Sequence, residues 1–109
     1  MRSLKTHLLE KDDMKIVCQW LNMRGIPWKR CHDKEPRRAM ASSGGFPDLL
    51  ICKPTSKAPH GCAINLGAIG CGVAIEQITW LSRLSVIGMV TNVCYGHKDT
   101  ISFLADMGY

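Results

Sequence analysis

An aspartate that enters a strand behind a proline, in Gly45-Phe46-Pro47-Asp48, is the first group in this chain placed to do chemistry. A second stretch, Ala63-Ile64-Asn65-Leu66-Gly67, sets two positions of interest two residues apart. Side chains alternate along a strand, so positions 65 and 67 share a face. If the two strands pair as a hairpin, Asp48 stands close to that face. Two acidic groups that hold a divalent cation, with a lysine that positions the attacking water or steadies the developing phosphorane charge, make a metal-dependent nuclease site. This chain departs from that set: position 65 is asparagine, which ligates without charge, and position 67 is glycine, which has no side chain to contribute. From the residues alone this is an incomplete metal site, and Asp48 behind its proline equally suits a turn cap.

Charge supplies a second signal. Residues 24–38 hold six basic side chains (Arg24, Lys29, Arg30, Lys34, Arg37, Arg38) against Asp33 and Glu35, which leaves +4 of the chain's net +5 in that stretch. Concentrated basic charge suits an anionic partner, nucleic acid above all. A solvated basic loop without a partner is the other reading. Arg30, His32, Lys34, Arg37 and Arg38 are the expected phosphate contacts, which position DNA without reading its bases.

The elements that would position these residues follow from periodicity. Leu9, Met14, Val17, Cys18 and Leu21 recur at helical spacing from about Lys5 to Arg24, with Gly25 as the stop. Trp28 to Cys31 suits a short strand, and residues 32–45 read as a loop. Strands are expected at 46–52, 62–68 and 89–94, helices at 74–87 and 98–107. The order α-β-β-β-α-β-α predicts an α/β fold, a small mixed sheet flanked by helices. The last strand follows a helical crossover and should run parallel to its neighbour. With 109 residues, 46% hydrophobic and 21% charged, the chain has room for one domain, residues 1–109, and wholesale disorder is excluded. A deep cleft at this size would need a second copy of the chain.

Six cysteines, at 18, 31, 52, 62, 71 and 94, include no C-x-x-C pair, and several lie in apolar runs. They read as reduced, buried thiols of a cytoplasmic protein. A metal cluster of Cys52, His60, Cys62 and Cys71 is a weaker alternative, because structural zinc takes closely paired ligands. No apolar run reaches membrane-spanning length, so no membrane partner is expected. Trp20, Trp28 and Trp80 have apolar neighbours and read as core or interface residues.

Taken together, Gly45-Phe46-Pro47-Asp48-Leu49-Leu50, Ala63-Ile64-x-Leu66, Glu76-Gln77-x-x-Trp80-Leu81, Gly88 and Val93-Cys94-Tyr95-Gly96 resemble the VRR-NUC (virus-type replication-repair nuclease) family of the PD-(D/E)xK superfamily. The resemblance runs from about Glu10 to Leu104. It implies a restriction-endonuclease-like core, Mg²⁺ or Mn²⁺ as cofactor and hydrolysis of branched DNA by a homodimer similar to Holliday-junction resolvases. By this resemblance Asp48 is a metal and catalytic residue, and Asn65 stands at the metal-binding glutamate. Gly67 stands at the lysine. Leu66 would offer its carbonyl to the metal, Glu10 is the early acid and Gln77 begins the helix after the site. A bacterial or phage-infected cell is the implied setting. With Asn65 and Gly67 in place of the acid and the lysine, metal binding is expected to be weakened and cleavage impaired. The alternative is a junction-binding module that does not cut.

Overall fold

A computed structural model describes residues 2–31, 44–67 and 72–109, with side chains from Asp12 onward. The elements are α1 (Arg2–Met23), β1 (Trp28–Arg30), β2 (Leu49–Ile51), β3 (Cys62–Gly67), α2 (Ile75–Val86), β4 (Val90–Tyr95) and α3 (Gly96–Asp106). This is the order read from the sequence.

Helix α1 ends where its sequence requires. Gly25 adopts φ +67, and Ile26 N–H reaches Leu21 O at 3.0 Å while Gly25 N–H reaches Asn22 O at 3.1 Å. These two bonds satisfy the last carbonyls of the helix. Strand β2 is only three residues long, shorter than the 46–52 expected, because Phe46 and Pro47 lie outside the ladder. A proline has no N–H to give a ladder. Helix α3 starts at Gly96, two residues earlier than expected, and Asp99 Oδ2 in its first turn reaches back to accept the Tyr95 N–H at 2.9 Å.

The sheet order is β1-β2-β3-β4. β1 and β2 run antiparallel, as do β2 and β3, and β4 is parallel to β3, as the crossover predicted. Strand alternation divides the sheet into two unlike faces. On the first, Leu49, Ile51, Cys62, Ile64, Leu66 and Cys94 meet Met14, Val17 and Leu21 of α1 and Leu104 of α3. The chain end closes this core: the buried Tyr109 donates its hydroxyl to Lys53 O at 2.5 Å, and Arg24 Nε donates to Tyr109 O at 3.0 Å. On the second face, Ala63, Asn65, Gly67, Thr91, Val93 and Tyr95 lie toward α2, the helix that packs on β3 and β4. No residue of α2 is fully buried, and Ile75 and Ile78 remain 79% and 52% exposed. Among the described residues no helix is long and apolar enough to cross a membrane.

Candidate functional site

The register of β2 on β3 pairs Leu49 with Ile64, so one step further sets Asp48 opposite Asn65. Directly opposed residues share a face, which is the second face of the sheet. The Asp48 Oδ2 atom accepts the Leu66 N–H at 2.8 Å, which pins the carboxylate over the Asn65–Leu66 peptide. Its backbone carbonyl accepts Cys31 N–H at 2.9 Å, so Cys31 lies on the opposite side of Asp48 from Asn65. Burial, and then the Asp48 carboxylate, push the Cys31 thiol above its ordinary range. It is therefore a neutral neighbour of Asp48.

Asn65 is 2% exposed, and among the described residues neither its Oδ1 nor its Nδ2 has a hydrogen-bond partner. A buried polar group left unpaired costs about 1–3 kcal/mol. Native interiors tolerate few such groups outside functional sites. The neighbouring Gly67 lacks a side chain, and the ring of Tyr95 lies over it: a Cβ added there would stand 2.6 Å from Tyr95 Cε1.

The entry to Asp48 is fixed from above by α2. Gly45, at φ +81, passes so close to the first turn of α2 that an added Cβ would lie 2.6 Å from Glu76 Cβ. The Phe46 ring meets Trp80 edge-on, with centroids 5.0 Å apart. Gln77 Oε1 accepts the Ala74 N–H at 2.9 Å and so closes the turn that begins α2.

The other expected site residues fall as follows. Arg30 is exposed on the edge strand β1. Glu10 is in α1, but its side chain lies outside the described residues, as do His32, Lys34, Arg37 and Arg38 altogether. The four-ligand metal alternative is not assembled: Cys62 is in the core beside the Tyr109 hydroxyl, Cys52 is exposed, and Cys71 lies outside the described residues. Among the described residues no three His, Cys, Asp or Glu side chains cluster to hold a metal.

Two residues were not assigned roles from the sequence. Tyr95, part of the Val93-Cys94-Tyr95-Gly96 segment, is one. The other is Asp13, whose side chain is 12% exposed and meets His97 Nδ1 at 2.7 Å. The i, i+4 relation of Asp13 to the buried Val17 was the available signal.

This fold is shared with a VRR_NUC domain protein. The solved structure of that protein matches with a TM-score of 0.73 and 18% sequence identity, over 91% of this chain and 87% of that one. No family model and no curated protein matches the sequence. The resemblance read from the motifs thus holds at the level of the fold, an α/β core of four mixed strands and three helices. The residues present suit a hard divalent cation by atom type and fall short by charge. Asp48 brings one carboxylate, already bonded to Leu66 N–H, and Asn65 brings a neutral carboxamide oxygen. Affinity for such ions tracks the number of charged ligands.

Proposed function

We propose that the chain is a VRR-NUC-type DNA-processing domain that binds branched DNA as a homodimer and cleaves it weakly. One observation carries this reading: Asp48 and Asn65 are opposed on one face of β2 and β3, with Asp48 Oδ2 bonded to Leu66 N–H. The shared fold supports the substrate class. In this reading the basic side chains of residues 24–38 hold phosphates, and Asp48, Asn65 and the Leu66 carbonyl form a weakened site for Mg²⁺ or Mn²⁺. A bound cation would polarise the attacking water. Asp48 and Asn65 orient whatever binds over the shared face of β2 and β3, and Glu10 and Gln77 border the site.

Cleavage is impaired because two electrostatic contributions are gone. Asn65 removes about one negative charge from the cation site, and Gly67 removes a cation that would face the developing phosphorane charge. Losses of the second kind are typically worth about 3–4 kcal/mol of barrier. Restoration tests the reading. Because Tyr95 stands on Gly67, the restored chain needs Asn65→Glu and Gly67→Lys together with Tyr95→Ala. Incubated with duplex, flap and four-way DNA in Mn²⁺, this variant is expected to cut. Absence of cleavage by a variant that still binds DNA with steep salt dependence establishes the second reading, a junction-binding module that does not cut. The Tyr95 ring over position 67 is the observation that favours that second reading.

Phosphate neutralisation demands that log affinity fall steeply with log salt. A flat salt dependence would defeat both readings and leave the basic stretch to a protein partner. The homodimer is supported by the apolar side chains that α2 and its C-cap leave in solvent, Ile75, Ile78, Val86 and Ile87. Light scattering at micromolar concentration should return twice the 12.1 kDa chain mass. A monomer mass would overturn the dimer.

A further inference from the structure

Gly67 and Tyr95 are register partners across the parallel pair β3–β4, so both positions project on the face that carries Asn65. Glycine leaves that space unfilled, and Tyr95 takes it. A Cβ built on Gly67 would lie 2.6 Å from Tyr95 Cε1 and 2.9 Å from Cδ1, closer than real carbon contacts allow, and 3.3 Å from Cζ. One space therefore serves two positions: either residue 67 carries a side chain or the ring lies there.

Tyr95 is also held in place. Its N–H donates to Asp99 Oδ2 at 2.9 Å, and it forms the N-terminal cap of α3. The turn that follows needs a glycine, Gly96 at φ +86, with Asp13 Oδ2 3.7 Å from where a Cβ would stand. Asp13 is itself bonded to His97. The phenol hydroxyl has no partner among the described residues. A half-buried ring on a fixed backbone, its O–H without a partner among the described residues, on the same sheet face as the buried and unpaired Asn65 carboxamide, leaves polar groups for a ligand to satisfy rather than packing material alone.

We infer that Tyr95 is a substrate-contacting residue of this site, its phenol O–H donating a hydrogen bond to a phosphodiester oxygen of bound DNA from the space a side chain at position 67 would otherwise fill. The inference rests on the DNA-binding reading above. A neutral donor holds the anion without a metal and without displacing counterions.

The whole chain is tested with a labelled four-way junction and a labelled duplex in EDTA, over a salt series. Tyr95→Phe keeps the ring and loses the hydroxyl. It is expected to bind about tenfold more weakly, the scale of one hydrogen bond to a charged oxygen, with an unchanged salt slope. Arg30→Ala is the contrast, expected to make the slope shallower by about one unit. If Arg30→Ala behaves so and Tyr95→Phe binds as the parent does, the inference fails while the DNA reading stands. If the parent chain shows no salt-dependent affinity, both fail. Gly67→Ala checks the shared space: it should lower both the melting temperature and the affinity, and Gly67→Ala with Tyr95→Ala should recover the melting temperature but not the affinity. Full affinity in Gly67→Ala would overturn the inference.

Discussion

The two faces of the sheet are built to different standards. On the α1/α3 face, Val17, Leu21, Leu49, Ile51, Ile64 and Leu104 are fully buried, and the buried Thr100 hydroxyl donates to Gly96 O at 2.8 Å. On the α2 face, the buried polar residue is Asn65, with both amide atoms unpaired, while α2 leaves Ile75 and Ile78 in solvent. The first face satisfies its polar groups and buries its apolar ones, whereas the second leaves the Asn65 carboxamide unpaired and the apolar side chains of α2 in solvent. Stability is therefore concentrated on one side, and the other side is free to carry unpaired groups that a ligand or partner can satisfy.

Substitutions should separate the faces. Leu49→Ala, which opens a cavity against α1 and β3, is expected to cost about 2–5 kcal/mol in urea unfolding. A cost near zero would mean that the α1/α3 face is not the core. Gly61→Ala tests the turn into β3. Gly61 sits at φ +83, and an added Cβ would collide with Ile51 O, so a loss of at least about 1–3 kcal/mol is expected.

Alkaline pH should weaken the same face. Burial pushes the Cys94 thiol from its ordinary 9.0 up to about 12, and burial also raises Cys62. A group whose pKa is raised on folding gives its full contribution below the unfolded value. Between about pH 9 and about 12 the unfolded chain binds fewer protons than the folded one, and stability falls as pH rises. The urea midpoint should drop on going from about pH 8 to about pH 10.5, and Cys94→Ala should flatten that drop. Midpoints that do not move would contradict the burial of Cys94.

The α2 face should respond with smaller effects. Asn65→Leu removes the two unpaired amide atoms at similar volume, so it should stabilise the fold by about 1 kcal/mol while abolishing ligand binding at the site. Destabilisation would show that the carboxamide has a structural partner. Ile75→Ser should shift stability by no more than about 0.5 kcal/mol and should reduce self-association. A large loss of stability would mean that α2 is packed as tightly as α1.

Much of this was legible in the residues themselves. The period of Met14, Val17 and Leu21 marked α1, Gly25 its end, and the apolar runs around Leu49, Ile64 and Val93 the central strands. The hairpin expected to bring Asp48 beside Asn65 is present. The basic residues from His32 to Arg38 lie outside the described residues, so their placement stays as the sequence reading left it. Local periodicity carries this information because each helix or strand depends on neighbours within a few residues.

Asp13, Gln77 and Tyr95 were not legible in the same way. An Asp on a charged helix looks solvated until His97, 84 residues away, lies against it. Gln77 reads from the sequence as a site residue, and the fold adds a second role, its oxygen closing the Ala74 turn. Gly67 reads as a missing lysine, whereas the folded chain fills that space with a ring from the adjacent strand. The sequence by itself determined which segments form helices and strands and that Asn65 and Gly67 share one face of a strand, with Asp48 at the entry to another. Only the tertiary structure decided which side chains occupy the shared space between them, because a contact between parallel strands joined by a helix depends on register and packing, and neither is written in local spacing.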